Sequence, residues 1–228
     1  MIGSVSRSVK DYQENDYMIE LPDAGRTIWN MSRSTLRDYW ENDTGDVYIM
    51  QNVTSEREHR RRIKEMAVSD PLTGVANRAG LYEYYDSLDK AGYATFMFAD
   101  IDNFKQINDR FGHAIGDIFL KDVVNILDKN IPGSFIVRVG GDEFFAITLS
   151  DANEEIIAEM ADQINDDMGR LEGYPEGFSP SASISMGVLY HAPLRLDIDE
   201  IMEKCDTAMY KAKKNGKHGY HIDLSLTD

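Results

Sequence analysis

The feature that most constrains the fold is an ordered series of apolar and amphipathic segments in the second half of the chain. Continuous apolar runs indicate buried strands, and apolar residues at helical spacing indicate helices between them. A glycine pair between two adjacent apolar runs predicts a β-hairpin. The order is strand, helix, strand, strand, helix, strand over residues 93–100, 116–130, 134–139, 143–150, 153–171 and 181–190. It predicts an α+β, ferredoxin-like fold with a central antiparallel sheet flanked by helices.

Three shorter runs with strand character precede this region, at residues 17–21, 26–35 and 46–53. The separators PDAG and ENDTG have the composition of turns, so the runs predict a three-stranded antiparallel meander. About fifty residues make a thin independent domain. The segment 1–53 is therefore expected to be part of a larger module or to rest on a partner.

Residues 54–70 predict a helix that connects the two regions. Ser55 and Glu58 have the spacing of a capping box, while Ile63 and Met66 form a narrow apolar seam. The helix either pairs with its copy in a dimer or is simply solvated, and the sequence leaves both open. The domain boundaries predicted in this way are 1–53, 54–69 and 70–228.

The overall charge narrows the classes of ligand. The 228-residue chain has a formal net charge of −16, which argues against a general nucleic-acid binder but allows a small phosphorylated ligand.

No apolar run approaches the ~20 residues that span a bilayer, and the first residues lack the apolar centre of a signal peptide. We therefore expect no membrane segment and a cytoplasmic location. The single cysteine, Cys205, is expected to pack on an amphipathic helix.

Acidic residues lie where two of the predicted strands end or begin. Asp100 ends the run 93–100 and Asp102 follows it, while Asp142 and Glu143 stand at the hairpin. The first strand of a ferredoxin-like sheet pairs beside the hairpin, so these acids could meet and attract a divalent cation. Alternatively, Asp102 caps the next helix and the hairpin acids are turn residues. Spacing alone does not decide between the two.

Glycines and lysines add weaker signals. Gly140 and Gly141 leave the hairpin open to a ligand, although a tight turn alone also favours glycine. Four lysines gather near a predicted helix end, where one or two suit the helix dipole and the others could meet phosphates. They are Lys211, Lys213, Lys214 and Lys217.

Four sequence blocks together resemble the GGDEF-domain diguanylate cyclases. They are GGDEF (140–144), DPLTGVANR (70–78), ADIDNFKQINDRFGHAIGD (99–117) and CDTAMYKAKKNGKH (205–218). The resemblance covers about 66–222, in the order and spacing of the family. It implies a cyclase-type palm, as in adenylate cyclases, that condenses two GTP into cyclic di-GMP in a homodimer and releases pyrophosphate.

The resemblance also implies roles for individual residues. The carboxylates of Asp100 and Glu143 and the backbone carbonyl of Ile101 are expected to bind the metal. Asp142 stands at the catalytic acidic position, beside Glu143. The expected nucleotide contacts are Asn108 and Asp117 for guanine, Lys105, Lys213, Lys217 and the N–H groups of Asn103 and Phe104 for phosphates, and Gly140 and Gly141 against the nucleotide.

Physical chemistry agrees with these roles. A carboxylate such as Asp117 accepts from both guanine donors, and adenine would leave it unpaired. A bare carboxylate cluster would repel GTP, since two charges at about 4 Å interact by about 4 kcal/mol at an effective dielectric of ~20. Magnesium is therefore expected, with manganese as a substitute.

Two features depart from the family pattern. The RxxD motif for product inhibition falls on IPGS (131–134), so feedback inhibition at that site is expected to be lost. Lys217 stands where arginine is usual, and lysine lacks the bidentate fork.

The segment before residue 54 is similar to the last strands of a PAS sensor module. Arg138 is expected to support the hairpin. The alternative function is that of a catalytically silent domain that binds GTP and regulates a partner.

Overall fold

A computed structural model describes residues 5–6, 16–21, 25–149, 153–178, 182–216 and 219–223. The chain divides into two units, residues 1–65 and 66–228. Among the described helices, none combines the length and the apolar character needed to cross a membrane. Lys217, a predicted phosphate contact, lies outside the described residues.

The first unit contains an antiparallel sheet of four strands in the order β1-β2-β3-β4. The predicted meander is present as β2, β3 and β4, and the two-residue β1 adds to it. The strands are β1 (Val5–Ser6), β2 (Asp16–Leu21), β3 (Gly25–Arg37) and β4 (Asp43–Asn52).

Helix α1 (Thr54–Val68) follows β4 directly. Thr54 fixes its start, because the Thr54 hydroxyl donates to Asn52 and accepts the N–H of Ile28. None of the fifteen residues of α1, all of them described, is buried, and Ile63 and Met66 are largely exposed. The prediction of an exposed helix is confirmed, and its pairing in a dimer stays a prediction.

The second unit has a five-stranded sheet in the order β6-β7-β5-β8-β9. Its elements are α2 (Arg78–Ser87), β5 (Tyr93–Ile101), α3 (Phe104–Phe111), α4 (His113–Asn130), β6 (Phe135–Gly140), β7 (Glu143–Thr148), α5 (Glu154–Gly169), β8 (Ile184–Pro193), α6 (Ile198–Lys214) and β9 (Gly219–Asp223).

The order of β5 to β8 is that of a ferredoxin-like sheet, and these strands pair antiparallel, as predicted. The prediction missed β9, which adds to the edge and pairs parallel to β8. Its five residues follow the lysine-rich segment directly and carry little apolar periodicity, so the sequence pattern alone gave no strand signal there.

The central strand β5 is largely apolar up to Ala99 because helices cover both faces of the sheet. Phe96 and Phe98 belong to the core cluster that includes α2 and α6 residues, while Met97 and Ala99 belong to the cluster with α4 and α5. Alternate residues of a strand face opposite sides, so a buried central strand reads as one continuous apolar run. Cys205 on α6 is fully buried, as predicted, and burial raises the pKa of its thiol.

Gly187 lies in the middle of β8, where α6 crosses the sheet at close range. A Cβ on Gly187 would lie well inside 3.0 Å of the main-chain oxygen of Cys205 and of the main-chain nitrogen of Met209. A glycine in a strand interior often marks such a close approach of another backbone. The absence of a side chain here therefore sets the distance between the helix and the sheet.

Candidate active site

The end of β5 and the tip of the β6–β7 hairpin meet at one edge of the sheet. Asp100 on β5 lies directly opposite Glu143 on β7 in the antiparallel register. The main-chain N–H of Ile101 donates to the carbonyl of Asp142 over 3.3 Å, which holds the hairpin tip against the strand end. The sheet topology thus places four of the predicted site residues together.

This arrangement crowds negative charge. Burial raises the pKa of Asp100, and Asp142 and Asp102 add to the rise. The pKa of Glu143 is also raised, by burial first and then by repulsion from Asp100, Asp142 and Asp206. Both carboxyl groups therefore favour a partner that neutralises them.

The Lys213 ammonium is such a partner. Its Nζ lies 2.6 Å from Oδ1 of Asp100, with both side chains mostly buried, and it opposes the rise in the pKa of Asp100. The contact of Lys213 with phosphate stays a prediction, because in the structure its ammonium neutralises Asp100.

Asp206 stands seven residues before Lys213 on α6, which places both on one helical face. The sequence contained that spacing, but it did not indicate that Asp206 influences Glu143.

The donor set suits a hard cation. Asp100, Glu143 and the carbonyl of Ile101 offer oxygen, which Mg²⁺ and Mn²⁺ prefer. In the described parts of the chain, no group of three or more Asp, Glu, His or Cys residues is assembled to hold an ion alone. Magnesium commonly binds through one or two carboxylates plus substrate phosphates, so the residues fit an ion that is completed by a nucleotide.

Asp102 is held by hydroxyl groups that the sequence did not indicate. It is 1% exposed and accepts hydrogen bonds from the hydroxyls of Ser183, at 2.6 Å, and Ser185, at 2.8 Å. The N-cap position of α3 is occupied by Asn103. Asp102 therefore ties the end of β5 to β8, while its charge adds to the rise in the pKa of Asp100.

The chain turns sharply between Asp102 and α3. Asn103 has a φ of +59°, in the left-handed region, and its carbonyl accepts the N–H groups of Gln106 and Ile107. Phe104 is the first residue of α3, where main-chain N–H groups are not used by the helix. Such a terminus suits the predicted phosphate contact. Lys105 is exposed on the same helical turn.

The two predicted guanine contacts lie on neighbouring helices. α3 and α4 are joined at Gly112, whose N–H donates to the carbonyl of Asn108. The side chain of Asn108 lies against Gly116 on α4, and the exposed Asp117 follows Gly116 in sequence. The structure therefore places the Asn108 side chain beside Gly116 in the first turn of α4, the residue that precedes Asp117.

Arg138 supports the hairpin, as predicted. Its Nε and Nη2 donate to the carbonyl of Gly141 at 2.9 and 2.7 Å, and its Nη1 donates to Asp70 at 3.0 Å. Asp70 also accepts the N–H and the hydroxyl of Thr73. Gly140 and Gly141 are exposed, and Gly141 has a φ of +52°. An ion pair thus anchors the turn that carries Asp142.

Replacing Asp70 by asparagine is expected to loosen this anchor. Burial pushes the pKa of Asp70 up, but hydrogen bonds from Thr73 and Arg138 outweigh it and hold the pKa below its usual value. The ionised form thus stabilises the fold above the usual pKa, and this contribution is lost as the pH falls through the lowered pKa. We expect Asp70→Asn to cost about 2 kcal/mol in urea unfolding at neutral pH.

The matched control is Asp166→Asn, which breaks the exposed pair with Arg170. Exposed pairs contribute about 0–1 kcal/mol. Equal losses in the two variants would contradict a special role for the Asp70–Arg138 pair.

Comparison with known proteins identifies relatives of the second unit. The family model "Diguanylate cyclase, GGDEF domain" matches residues 67–219. The probable diguanylate cyclase DgcT of Escherichia coli K12 is 37% identical over 165 residues, which cover 69% of this chain and 36% of DgcT. The cyclic di-GMP phosphodiesterase PdeR of the same organism is 31% identical over 179 residues, 73% of this chain and 25% of PdeR.

Among solved structures, the coiled coil and GGDEF domain of DgcB from Caulobacter crescentus, in complex with c-di-GMP, superposes with a TM-score of 0.67. The identity is 23%, and the match covers 75% of this chain and 93% of that one, so it supports the fold. The chain spans about a third to a half of the length of the first relatives it matches. The family model begins at residue 67, so the likeness of the front segment to a PAS module gains no support from it.

Proposed function

Because the chain belongs to the GGDEF-domain family of diguanylate cyclases, we propose that it condenses two GTP molecules into cyclic di-GMP and releases two pyrophosphates. The observation that carries this proposal is the pairing of Asp100 with Glu143 at the end of β5, beside the hairpin tip. Two half-buried carboxylates with raised pKa values at an open hairpin suit a metal–triphosphate complex.

The chemistry of each predicted site residue suggests a separate role in the proposed reaction. A magnesium ion, when bound, supplies the positive charge that neutralises the phosphates and favours ionisation of the attacking hydroxyl. Asp100, Glu143 and the Ile101 carbonyl would hold it, while Asp142 lies at the hairpin tip, where it can take the proton of a 3′-hydroxyl. Asn108 and Asp117 would bind guanine through its donor and acceptor edge.

The phosphates would be bound by Lys105, Lys213 and Lys217 and by the N–H groups at the start of α3. In the described structure Lys213 is paired with Asp100, so binding to phosphate requires this ammonium to leave the carboxylate. A cation at Asp100 would replace the lost charge. Lys213 is therefore expected to leave Asp100 for the triphosphate as the nucleotide enters.

We propose that the active form is a homodimer. Each chain has one set of predicted guanine contacts, Asn108 and Asp117, whereas the reaction joins two nucleotides. Each chain would hold one GTP, and each 3′-hydroxyl would attack the α-phosphate held by the other chain. The specific activity is then expected to rise with protein concentration.

The direct test is to incubate the purified chain with GTP and MgCl₂ at several protein concentrations and to separate the products by chromatography. Formation of cyclic di-GMP that depends on the metal, that persists with MnCl₂ and that is lost in Asp142→Asn would support the proposal. Folded protein that yields no cyclic di-GMP at micromolar concentration would reject it for this chain.

A catalytically silent domain that binds GTP and regulates a partner is the second candidate. The match to a protein named as a cyclic di-GMP phosphodiesterase favours it, because a domain of this family occurs there in a protein named for the opposite reaction. The complete acidic hairpin, Asp142 and Glu143, favours the cyclase. Calorimetry that detects GTP binding without turnover would decide for the silent domain.

We further propose that the product does not inhibit the enzyme at the family's RxxD position. That position is occupied here by Ile131, Pro132, Gly133 and Ser134, which offer no charge to a phosphate. The rate with added cyclic di-GMP is expected to equal the rate without it, and Ile131→Arg/Ser134→Asp should introduce inhibition. Inhibition of the unmodified chain at low micromolar product would contradict this prediction.

A further inference from the structure

We propose that Gly116 is a positioning residue that fixes the guanine-binding side chain of Asn108 and so contributes to nucleotide specificity. This inference rests on the proposed function, since it concerns the same site. Gly116 does not itself offer a group to the base. It acts by leaving a space on α4, the Gly116 notch, that the Asn108 amide fills.

The geometry of the notch is specific to these two residues. A Cβ built on Gly116 would lie well inside 3.0 Å of Oδ1 of Asn108 and 3.1 Å from its Cγ. The next atom is Cζ of Phe104, at 3.3 Å. Gly116 is buried and Asn108 is partly buried, so the amide lies against the helix at this point.

The backbone around the notch fixes Asn108 from the other side. Its carbonyl accepts the N–H of Gly112, the residue with a φ of +86° at which α3 ends and α4 begins. The N–H of Gly116 in turn donates to the carbonyl of Gly112. Asn108 is therefore held by its main chain at Gly112 and by its side chain at Gly116, four residues apart on the chain.

A methyl group at position 116 is expected to displace the Asn108 side chain and to leave the fold intact. The closest atom it meets is the far end of an asparagine side chain, which can rotate away. The amide would then leave the place where it can serve a donor and an acceptor of guanine together. Asp117 would stay on α4, so part of the guanine contact would remain.

The test measures binding of 3′-deoxy-GTP and 3′-deoxy-ATP with magnesium by calorimetry, because nucleotides without the 3′-hydroxyl cannot be cyclised. Gly116→Ala is expected to lower the affinity for 3′-deoxy-GTP about tenfold and to leave that for 3′-deoxy-ATP unchanged. Asn108→Ala should have a similar effect, and the double variant should lose little more than either single one. The matched control is Gly169→Ala in α5, where no described atom lies within 4 Å of the added Cβ.

A second measurement does not depend on nucleotide binding. The side-chain amide signals of Asn108 in a ¹H–¹⁵N spectrum, assigned by their absence in Asn108→Ala, should shift in Gly116→Ala and stay in place in Gly169→Ala. If Gly116→Ala fails to fold, Asn108→Ala/Gly116→Ala should fold, because the group that the methyl meets first has been removed. Failure of both to fold would overturn the proposal.

The outcomes separate the two levels of inference. An unmodified chain that does not prefer 3′-deoxy-GTP over 3′-deoxy-ATP contradicts the proposed function, and the specificity role of Gly116 with it. An unmodified chain with that preference, combined with a Gly116→Ala variant that keeps it or that loses both nucleotides equally, overturns only the role of Gly116.

Discussion

Glu143→Gln is expected to abolish the formation of cyclic di-GMP while it makes the nucleotide-free chain more stable. Glu143 is one of two carboxylates proposed to hold the metal, and the amide cannot replace its charge. We expect turnover to fall by about a thousandfold, as for other groups that stabilise charge in a reaction. Product formation under saturating GTP and MgCl₂ measures this loss.

The gain in stability follows from the direction of the pKa shift. Burial and repulsion from Asp100, Asp142 and Asp206 raise the pKa of Glu143, so the folded state binds its proton more strongly than the unfolded state does. The favourable contribution is present below the usual pKa and is lost as the pH rises through the raised one. At neutral pH the ionised group therefore destabilises the fold, and because it is partly exposed we expect Glu143→Gln to raise Tm by only about 1–3 °C.

The control is Glu159→Gln on the exposed side of α5, which removes one negative charge far from the hairpin in sequence. If both variants gain equally, the effect comes from the net charge of −16 and not from the site. Added MgCl₂ together with 3′-deoxy-GTP should raise Tm of the unmodified chain more than that of Glu143→Gln. A loss of stability in Glu143→Gln would contradict the assigned electrostatics.

Gly187→Ala is expected to have the largest effect on stability. The added methyl would meet main-chain atoms of Cys205, Ala208 and Met209 on α6, and main-chain atoms cannot rotate away. β8 is paired on both sides, with β5 and with β9, so neither the strand nor the helix can move without breaking other contacts. We expect a loss of about 3 kcal/mol or more in denaturant unfolding.

Gly169→Ala again serves as the comparison, because it adds the same methyl group without a neighbour among the described atoms. A drop in the urea midpoint for Gly187→Ala that is absent in Gly169→Ala would assign the loss to the contact between helix and strand. If Gly187→Ala unfolds at the same urea concentration as the parent chain, α6 is free to move off the sheet and the packing described above is wrong.

The strand order could be predicted because it depends on local patterns, and it made a meeting of the acids possible without deciding it. A continuous apolar run at 93–100 indicated a strand buried on both faces, and the structure has it as Tyr93–Ile101. Once the order of elements indicated a ferredoxin-like sheet, the end of that strand had to lie beside the hairpin. The register of Asp100 with Glu143 follows from this topology.

What the sequence did not indicate depends on partners far along the chain. Asp102 is bound by Ser183 and Ser185, which are more than eighty positions away. No sequence pattern around Asp102 predicts these partners. The pairing of Lys213 with Asp100 requires the end of α6 to lie over β5, which neither segment specifies alone. The close approach of α6 to Gly187 was missed for the same reason, because a glycine in a strand does not indicate which segment of backbone packs against it.

The ion pair between Lys213 and Asp100 means that the resting protein carries its own counter-ion at the place where the metal is proposed to bind. Free magnesium would have to compete with an ammonium that is covalently attached and always present, whereas magnesium that arrives on a triphosphate brings a new anion for that ammonium. We therefore expect an order of arrival in which the metal enters together with the nucleotide, and a protein that stays empty of metal while GTP is scarce.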